Sequence, residues 1–174
     1  MGFMGFAGLA HATERELIGE REAMLEAEVT TLAVSEQAGP VPVVLLRELE
    51  SERIVPIFIG ENEARAIHSA LHGLRPPRPM THDLLAALIE STESELQAVI
   101  IDGLLDSAFI AVLELRVVGR EALVYVDSRA SDAIALALRT EASIYVSPEV
   151  MERATEFEEF ERIEEPPRLE RHEI

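Results

Sequence analysis

Residues 133–138, AIALAL, are apolar on every side of a helix, and this run constrains the fold more than any other segment. A helix at the surface keeps one polar face, so a helix that has none must be enclosed by the rest of the chain. The chain has 174 residues, which is enough for one domain whose core can enclose such a helix. We therefore expect a single domain built around this segment.

Charged residues come directly before this apolar helix. A strand-like run at 124–126 leads into Asp-Ser-Arg-Ala-Ser-Asp at 127–132. Carboxylates and a guanidinium beside a buried helix are partly desolvated and need partners. In one interpretation Asp127, Arg129 and Asp132 form a structural ion network that holds the loop. In the other they belong to a functional site, because perturbed carboxylates beside an arginine are typical of such sites. The spacing alone does not decide between the two.

The rest of the chain alternates between strand-like and helix-like segments. Strand-like runs at 28–35, 41–49 and 53–60, separated by turn residues, predict an antiparallel meander. Pro56 has no backbone N–H for a ladder, so we expect the third strand at a sheet edge or a bulge. Further strands are predicted at 96–101, 106–118, 122–127 and 143–146. Helices are predicted at 13–27, at 61–73, at 81–91, from the charged motif to about Arg139, and at 148–165 behind a Ser147 cap.

Composition restricts the classes of function. The chain has no cysteine, which excludes disulfides, thiolate metal sites and cysteine nucleophiles. Its 33 acidic and 15 basic residues give a net charge of −18, and every basic residue is arginine. This charge repels polyanions and argues against non-specific nucleic-acid binding, which depends on cations that displace counterions from phosphates. No apolar run approaches the length of a membrane span, and we expect a cytoplasmic protein. No glycine-rich phosphate loop occurs, so no nucleotide or organic cofactor is expected.

Three helix starts share one form, in which a strand or a stiff loop is followed by polar residues and then by a mostly apolar helix. They are IGENEA at 59–64, RPMTHDL at 78–84 and VDSRASDA at 126–133. The first amides of a helix need acceptors, so Thr81 and Ser131 are predicted to cap their helices. The polar residues at the three starts are Glu61, Glu63, Thr81, His82, Asp83, Asp127, Ser128, Arg129, Ser131 and Asp132.

Histidines and arginines near the first two helices offer further candidate sites. His68 and His72 are four residues apart on a helix, which can direct two imidazoles to one metal ion, although solvent-facing histidines explain the same spacing. Arg75 and Arg78, on a proline-rich loop, form the only compact cationic site in the sequence. Guanidinium groups there suit phosphate or carboxylate recognition, and they can equally pair with the chain's own surplus glutamates.

Taken together, these segments resemble the bifunctional nuclease family, which occurs in bacteria, archaea and plants. VPIFIGENEARAI, RPMTHDLL, DSAFIAVLEL, VDSRASDAIALALR and IYVSPEVM follow the family's order and spacing. The family usually has proline where Ala130 stands. The resemblance covers residues 28–155, with a leader or helical extension at 1–27 and an acidic helical tail at 156–174.

The resemblance implies an α+β domain, with a mixed, largely antiparallel sheet and about four helices. It also implies a homo-oligomer, with a dimer favoured, and nuclease activity on RNA and DNA. Our first hypothesis is therefore a nuclease assisted by Mg²⁺ or Mn²⁺, whose charge offsets the negative field at the site. The carboxylates predicted to bind the metal are Glu63, Asp83, Asp127 and Asp132.

In this hypothesis His82 acts as general acid or base, because imidazole exchanges protons near neutral pH. Arg129 stabilises the charge that develops on the phosphorus centre. The predicted catalytic residues are His82, Asp83, Asp127, Arg129 and Asp132, and the predicted substrate-binding residues are Arg75, Arg78 and Ser131. The rival hypothesis is a non-catalytic oligomeric binding or regulatory module, in which the Asp–Arg–Asp network is structural. The net charge favours this rival.

Overall fold

Seven strands, with a short eighth that pairs only with the first of them, form one open, mixed sheet in the computed structural model, which describes residues 14–35, 40–51, 53–153 and 161–162. The strands are β1 (Leu25–Ser35), β2 (Val41–Glu48), β3 (Ile54–Phe58), β4 (Glu95–Leu105), β5 (Ala108–Arg116), β6 (Val124–Arg129) and β7 (Ser143–Val146). Their order across the sheet is β3-β2-β1-β7-β4-β5-β6. The helices in the described residues are α1 (Glu61–Leu71), α2 (Thr81–Ser91), α3 (Ala130–Thr140) and α4 (Pro148–Met151). The predicted α+β class, with four helices and a largely antiparallel sheet, is confirmed.

Two antiparallel meanders, β1–β2–β3 and β4–β5–β6, are joined through β7. This strand pairs antiparallel with β1 and parallel with β4. β4 and β6 both run antiparallel to β5, so β6 and β7 point the same way. Parallel strands cannot be joined by a tight turn, and α3 supplies the crossover between them.

The apolar helix predicted at 133–138 lies at the centre of the domain. Every residue of Ala133–Ala137 is at most 2% exposed. α1 and α2 pack on α3, whose other side contacts β4 and β5. The core between α3 and the sheet includes Val44, Leu46, Val99 and Ile101.

Pro56 lies on β3, which is the edge strand next to β2, as predicted. Because a proline has no N–H to donate, an edge position leaves no ladder hydrogen bond unmade. Within the part of the chain that is described, no helix is long and apolar enough to cross a membrane.

The helix predicted at 13–27 is wrong. Among the described residues of this segment, one short 3₁₀ turn occurs at Arg21–Ala23, and β1 already begins at Leu25. The segment lies instead on the face of the sheet opposite α3, where Leu17 and Met24 pack near Ile100 and Val112. Good helix formers do not form a helix here because contacts with the sheet outweigh local propensity.

Arg21 shows one such contact. Its Nε donates to Glu114 Oε2 at 2.9 Å, and its guanidinium lies 4.0 Å from the centre of the Tyr145 ring. Glu114 is 4% exposed and also accepts a hydrogen bond from the Tyr125 hydroxyl at 3.0 Å. Arg21 therefore neutralises a carboxylate that the sheet buries.

The helix predicted at 148–165 begins as expected. The Ser147 side chain accepts a hydrogen bond from Val150 N at 3.2 Å, and Pro148 is the first helical residue. The described part of the helix ends at Met151. Most of the remaining predicted helix and of the predicted tail lies outside the described residues. At Glu161–Arg162 the helical prediction is wrong, because these residues form a short strand, β8, paired with β1.

Candidate functional site

Three helix starts meet around one arginine. Arg129 donates from Nε to Asp132 Oδ2 at 2.6 Å and from Nη2 to Asp132 Oδ1 at 3.0 Å. Its Nη1 donates to Glu63 Oε1, on α1, at 3.0 Å. His82 Nε2, on α2, lies 3.1 Å from Asp132 Oδ1. We call Glu63, His82, Arg129 and Asp132 the helix-start cluster.

The cluster is half-buried, with one open side. The side chain of His82 is 13% exposed, that of Glu63 22% and that of Asp132 31%. Arg129 is 65% exposed and forms the solvent side. A ligand can therefore reach the guanidinium without displacing any of its protein partners.

Local geometry explains how the fold places these groups. Arg129 is the extended residue just before α3, and Asp132 lies three residues later in the first turn, where both groups project from the same end of the helix. A carboxylate in a first turn is stabilised by the helix dipole. Glu63 has the same position in α1.

Charge partners control the ionisation of Asp132 and Arg129. Burial opposes ionisation of Asp132, but the hydrogen bonds from Arg129 and His82 outweigh it and hold its pKa below the ordinary value. The hydrogen bond to Asp132 raises the pKa of Arg129. Asp132 is therefore an acceptor at neutral pH, and it fixes the orientation of both the imidazole and the guanidinium.

Asp83 belongs to a second network. Its Oδ1 accepts from Arg139 Nε at 2.6 Å, and its Oδ2 accepts from Met80 N, at the start of α2, at 2.8 Å. Arg139 also donates to Ala66 O at 3.1 Å and to Ala135 O at 2.7 Å. Asp83 thus joins α2 to α3 and α1, and these hydrogen bonds, led by that from Arg139, lower its pKa.

Asp127 belongs to a third network, on the other face of the sheet. It accepts from Arg15 Nε at 2.5 Å, and the same guanidinium binds Asp102 on β4. Asp102 is fully buried. Sequence reasoning did not single out Asp102 or Arg15, although an Asp-Gly pair inside the apolar run at 98–105 is a signal that a buried acid needs a cation.

The predicted Asp127–Arg129–Asp132 network therefore forms only in part, because Arg129 binds Asp132 and Glu63 but not Asp127. The four carboxylates predicted to share a metal ion are divided among the three networks. Across 14–35, 40–51 and 53–153, no group of three or more His, Asp or Glu side chains could hold a metal ion. This arrangement does not fit a metal ion shared by the four.

The predicted caps are also wrong in their details. The N-cap positions of α2 and α3 are Met80 and Arg129, and Thr81 and Ser131 lie one and two residues further along. Neither cap position shows a side-chain cap hydrogen bond. The Asp83 carboxylate instead accepts from the backbone at the start of α2. Ser131 is buried, with 8% of its surface exposed.

His68 and His72 stack on each other at the end of α1, with ring centroids 4.1 Å apart. His72 Nδ1 lies 2.9 Å from His68 O, while the buried His68 Nε2 has no hydrogen-bond partner among the described residues. Burial, and then the neighbouring His72, lower the pKa of His68. The two rings stack face to face, and the described residues supply no third ligand for a metal ion.

Arg75 and Arg78 are exposed on the loop between α1 and α2. Neither makes an ion pair with another described residue. Arg75 lines a cleft of about 900 Å³ between α2 and the C-terminal end of α3, together with Asp83, Glu90 and Arg139. This cleft is lined by the second network rather than by the helix-start cluster.

Comparison with known proteins relates this chain to one protein family. The model of the family described as the bifunctional nuclease domain matches residues 44–159, which include all four residues of the cluster. An uncharacterized protein of Mycobacterium tuberculosis strain H37Rv is 40% identical over 119 residues, 68% of this chain and 70% of that protein. Bifunctional nuclease 2 of Oryza sativa subsp. japonica is 30% identical over 113 residues, 63% of this chain and 34% of that protein. The chain thus spans about a third of the rice protein.

Proposed function

Since the chain belongs to the bifunctional nuclease domain family, we propose that it cleaves phosphodiester bonds of RNA and DNA at the helix-start cluster. The observation that carries the proposal is the pair of hydrogen-bonded groups on Asp132, with the His82 imidazole at 3.1 Å and the Arg129 guanidinium at 2.6 Å. An imidazole oriented by a carboxylate, beside an exposed guanidinium, is suited to acid–base chemistry on a phosphate ester.

His82 transfers the proton in this mechanism. Its Nε2–H donates to Asp132, so Nδ1 is the nitrogen that accepts a proton from the attacking water or ribose hydroxyl. The protonated imidazole then returns a proton to the leaving oxygen as the P–O bond breaks. Asp132 keeps the ring in the required tautomer and remains ionised throughout.

Arg129 binds the phosphate. A guanidinium has five N–H donors, and Arg129 uses three of them on Asp132 and Glu63. The remaining two are available on its 65% exposed side. Because the carboxylates of Asp132 and Glu63 already fix its orientation, the guanidinium can donate to phosphate oxygens as negative charge develops on them.

Metal assistance is part of our first hypothesis. Asp83 is bound to Arg139 and Asp127 to Arg15, so the two do not fit a shared metal site with Glu63 and Asp132. We therefore assign no step to a metal ion. Cleavage assays with Mg²⁺, with Mn²⁺ and with EDTA test whether the reaction requires one.

Three variants test the proposal, namely His82→Gln, Asp132→Asn and Arg129→Ala. Loss of an acid–base group reduces a rate by roughly 10² to 10⁴, and loss of an electrostatic donor by roughly 10² to 10³. Asp106→Asn and Arg116→Ala are matched controls, because both residues are exposed and lie outside the cluster. Equal cleavage by all preparations would show that the activity comes from a contaminant and would refute the proposal.

The non-catalytic alternative is favoured by one observation, the net charge of −18, which repels a polynucleotide. In that case the helix-start cluster only joins α1, α2 and α3. Asp132→Asn would then lower the free energy of unfolding, and no preparation, including the wild type, would cleave or bind RNA or DNA with or without a divalent ion.

A further inference from the structure

The helix-start cluster contains more carboxylates than guanidinium groups. Arg129 is bound by two carboxylates, those of Asp132 and Glu63. His82 adds a positive charge only while its imidazole is protonated. The group that receives a phosphate is therefore a cation whose charge its own protein partners already match.

Glu61 adds a further negative charge beside the cluster. It is the first residue of α1, and its side chain is exposed. A Cβ built on Gly60 would collide with Glu63 Oε2, so the Glu63 carboxylate lies against the backbone that continues into Glu61. Glu61 makes no ion pair with another described residue. Its charge is thus unmatched next to the open side of the cluster.

The network that adjoins the cluster along β6 has the same imbalance. Asp127 lies two residues before Arg129, and its side chain is 48% exposed. Asp127 shares the guanidinium of Arg15 with Asp102, so this network also has two carboxylates and one guanidinium. An excess of carboxylates therefore adjoins the cluster on both α1 and β6.

The free arginines do not form a track that leads to Arg129. Those without an ion pair to another described residue lie on α1, on the loop before α2, at the end of β5 and after α4, namely Arg65, Arg75, Arg78, Arg116 and Arg153. Arg65 is two residues from Glu63, and residues two apart on a helix do not face each other. Arg75 lines the cleft at the other end of α3. Of these five, Arg78 alone directly precedes a helix start of the cluster.

This distribution of charge limits how many phosphates the site can hold. Affinity for a long nucleic acid grows with the number of phosphates that cations neutralise. Arg129 has two free N–H donors on its exposed side, which suffice for one phosphate. Phosphates further along a longer strand gain no track of cations, and the carboxylates within a Debye length repel them. Each added nucleotide then adds more repulsion than contact.

We propose that the substrate is a short single-stranded oligonucleotide, such as a di- or trinucleotide, and that the carboxylates around the cluster exclude long strands and duplexes. This inference rests on the proposed nuclease function and names the substrate class of the same site. A deoxydinucleotide has no 2′-hydroxyl, so water attacks it. The water oxygen bonds to phosphorus, the bond from phosphorus to the leaving oxygen breaks, and that oxygen takes a proton. The products are a nucleoside and a nucleoside monophosphate.

The salt dependence of cleavage tests this substrate class. The substrates are a deoxydinucleotide, a single strand of about 20 nucleotides and its duplex, compared by kcat/KM per phosphodiester bond. At low salt we expect the highest value for the dinucleotide. For the long strand, kcat/KM should rise roughly tenfold between about 0.02 M and about 0.2 M NaCl, because salt screens the repulsion. A value that falls with salt for the long strand, or that exceeds the dinucleotide's at low salt, would overturn the proposal.

Two neutralised carboxylates separate local charge from net charge. Glu61→Gln and Glu149→Gln change the net charge of the chain equally, and both residues are exposed, but Glu149 lies on α4, outside the cluster. At low salt, Glu61→Gln should raise kcat/KM for the long strand roughly threefold more than for the dinucleotide. Glu149→Gln should change both values alike. The same gain in both variants would show that the carboxylates at the cluster do not select the substrate.

The failure of this proposal is distinguishable from the failure of the nuclease function. A wild type that cleaves the duplex faster than the dinucleotide retains the nuclease function and refutes the short substrate. A wild type that cleaves none of the substrates refutes the nuclease function, and calorimetric titration with the dinucleotide then decides the ligand class. Dinucleotide binding that Arg129→Ala abolishes, without binding of the long strand, supports the short ligand, whereas no dinucleotide binding refutes it.

Discussion

Arg15 holds both carboxylate oxygens of Asp102, 87 residues away in sequence, with Nη1 2.6 Å from Oδ2 and Nη2 2.6 Å from Oδ1. Asp102 also accepts a hydrogen bond from Ile18 N at 2.9 Å. The Nε of Arg15 donates to Asp127 on the edge strand β6, and Nη1 also donates to Glu16 O at 3.1 Å. One side chain thus ties the segment before β1 to β4 and β6, and its hydrogen bond to Asp102 raises the pKa of Arg15.

We expect Arg15→Ala to lower the free energy of unfolding by about 3 to 5 kcal/mol, because it leaves the fully buried Asp102 without its cation. Urea denaturation at neutral pH measures the effect. Arg120→Ala is a suitable control, since its pair with Glu14 is more than half exposed on both sides and should contribute less than about 1 kcal/mol. Similar losses for both variants would mean that Asp102 is not held by Arg15.

Asp83→Asn should destabilise the protein by about 1 to 3 kcal/mol at neutral pH, because it weakens charged hydrogen bonds to Arg139 and Met80 N. The folded pKa of Asp83 lies below its ordinary value of 3.8, so its stabilising effect is complete above that pH. The effect is lost as the pH falls through the lower folded pKa. The difference between variant and wild type should therefore shrink below pH 3.8. A difference that persists there would show that ionisation of Asp83 is not its cause.

His68 should make the protein less stable in mild acid. Burial and then His72 lower its folded pKa below 6.5, so the unfolded chain binds this proton more readily than the folded chain. The free energy of unfolding therefore decreases as the pH falls from 6.5, the ordinary pKa, to the lower pKa of His68 in the folded protein. Between neutral pH and about pH 5.5, the free energy of unfolding of His68→Leu should fall by less than that of the wild type. Denaturation at the two pH values measures the difference. An unchanged loss would assign the effect to another group.

Gly60→Ala should disrupt the helix-start cluster without unfolding the domain. A Cβ at this position would lie 2.4 Å from Glu63 Oε2, so the Glu63 carboxylate must move away, at the expense of its bond to Arg129. The backbone at Gly60, with φ −78° and ψ 166°, suits alanine. The free energy of unfolding should therefore change by no more than about 1 kcal/mol. A crystal structure of the variant should show Arg129 bound to Asp132 alone. An intact Glu63–Arg129 pair would contradict this expectation.

Local patterns predicted most of the secondary structure. Alternating β-branched runs, turn residues and the apolar 133–138 helix each depend on near neighbours, so the strands and α1 to α3 could be found from the sequence. The helix prediction for segment 13–27 was wrong because the structure of this segment depends on distant contacts. Its residues favour a helix, but Arg15 and Arg21 bind carboxylates of the sheet, and such distant contacts leave no local pattern.

The candidate site was predicted in part for the same reason. Family resemblance and helix-start chemistry singled out Glu63, His82, Arg129 and Asp132, which the fold brings together. The same reasoning grouped Asp83 and Asp127 with them. Asp127 instead contacts Arg15 on the sheet face opposite α3, and Asp83, one residue after His82 on α2, contacts Arg139.

The sequence by itself determined the buried central helix, the positions of most strands and helices, and the acidic, lysine-free composition, because these follow from composition and from periodicity along the chain, whereas the α+β class was implied by the family resemblance. Only the tertiary structure decided which carboxylate each arginine binds. An acidic chain offers many acceptors of equal chemistry, and the choice among them depends on which side chains the packed strands and helices bring within hydrogen-bond distance.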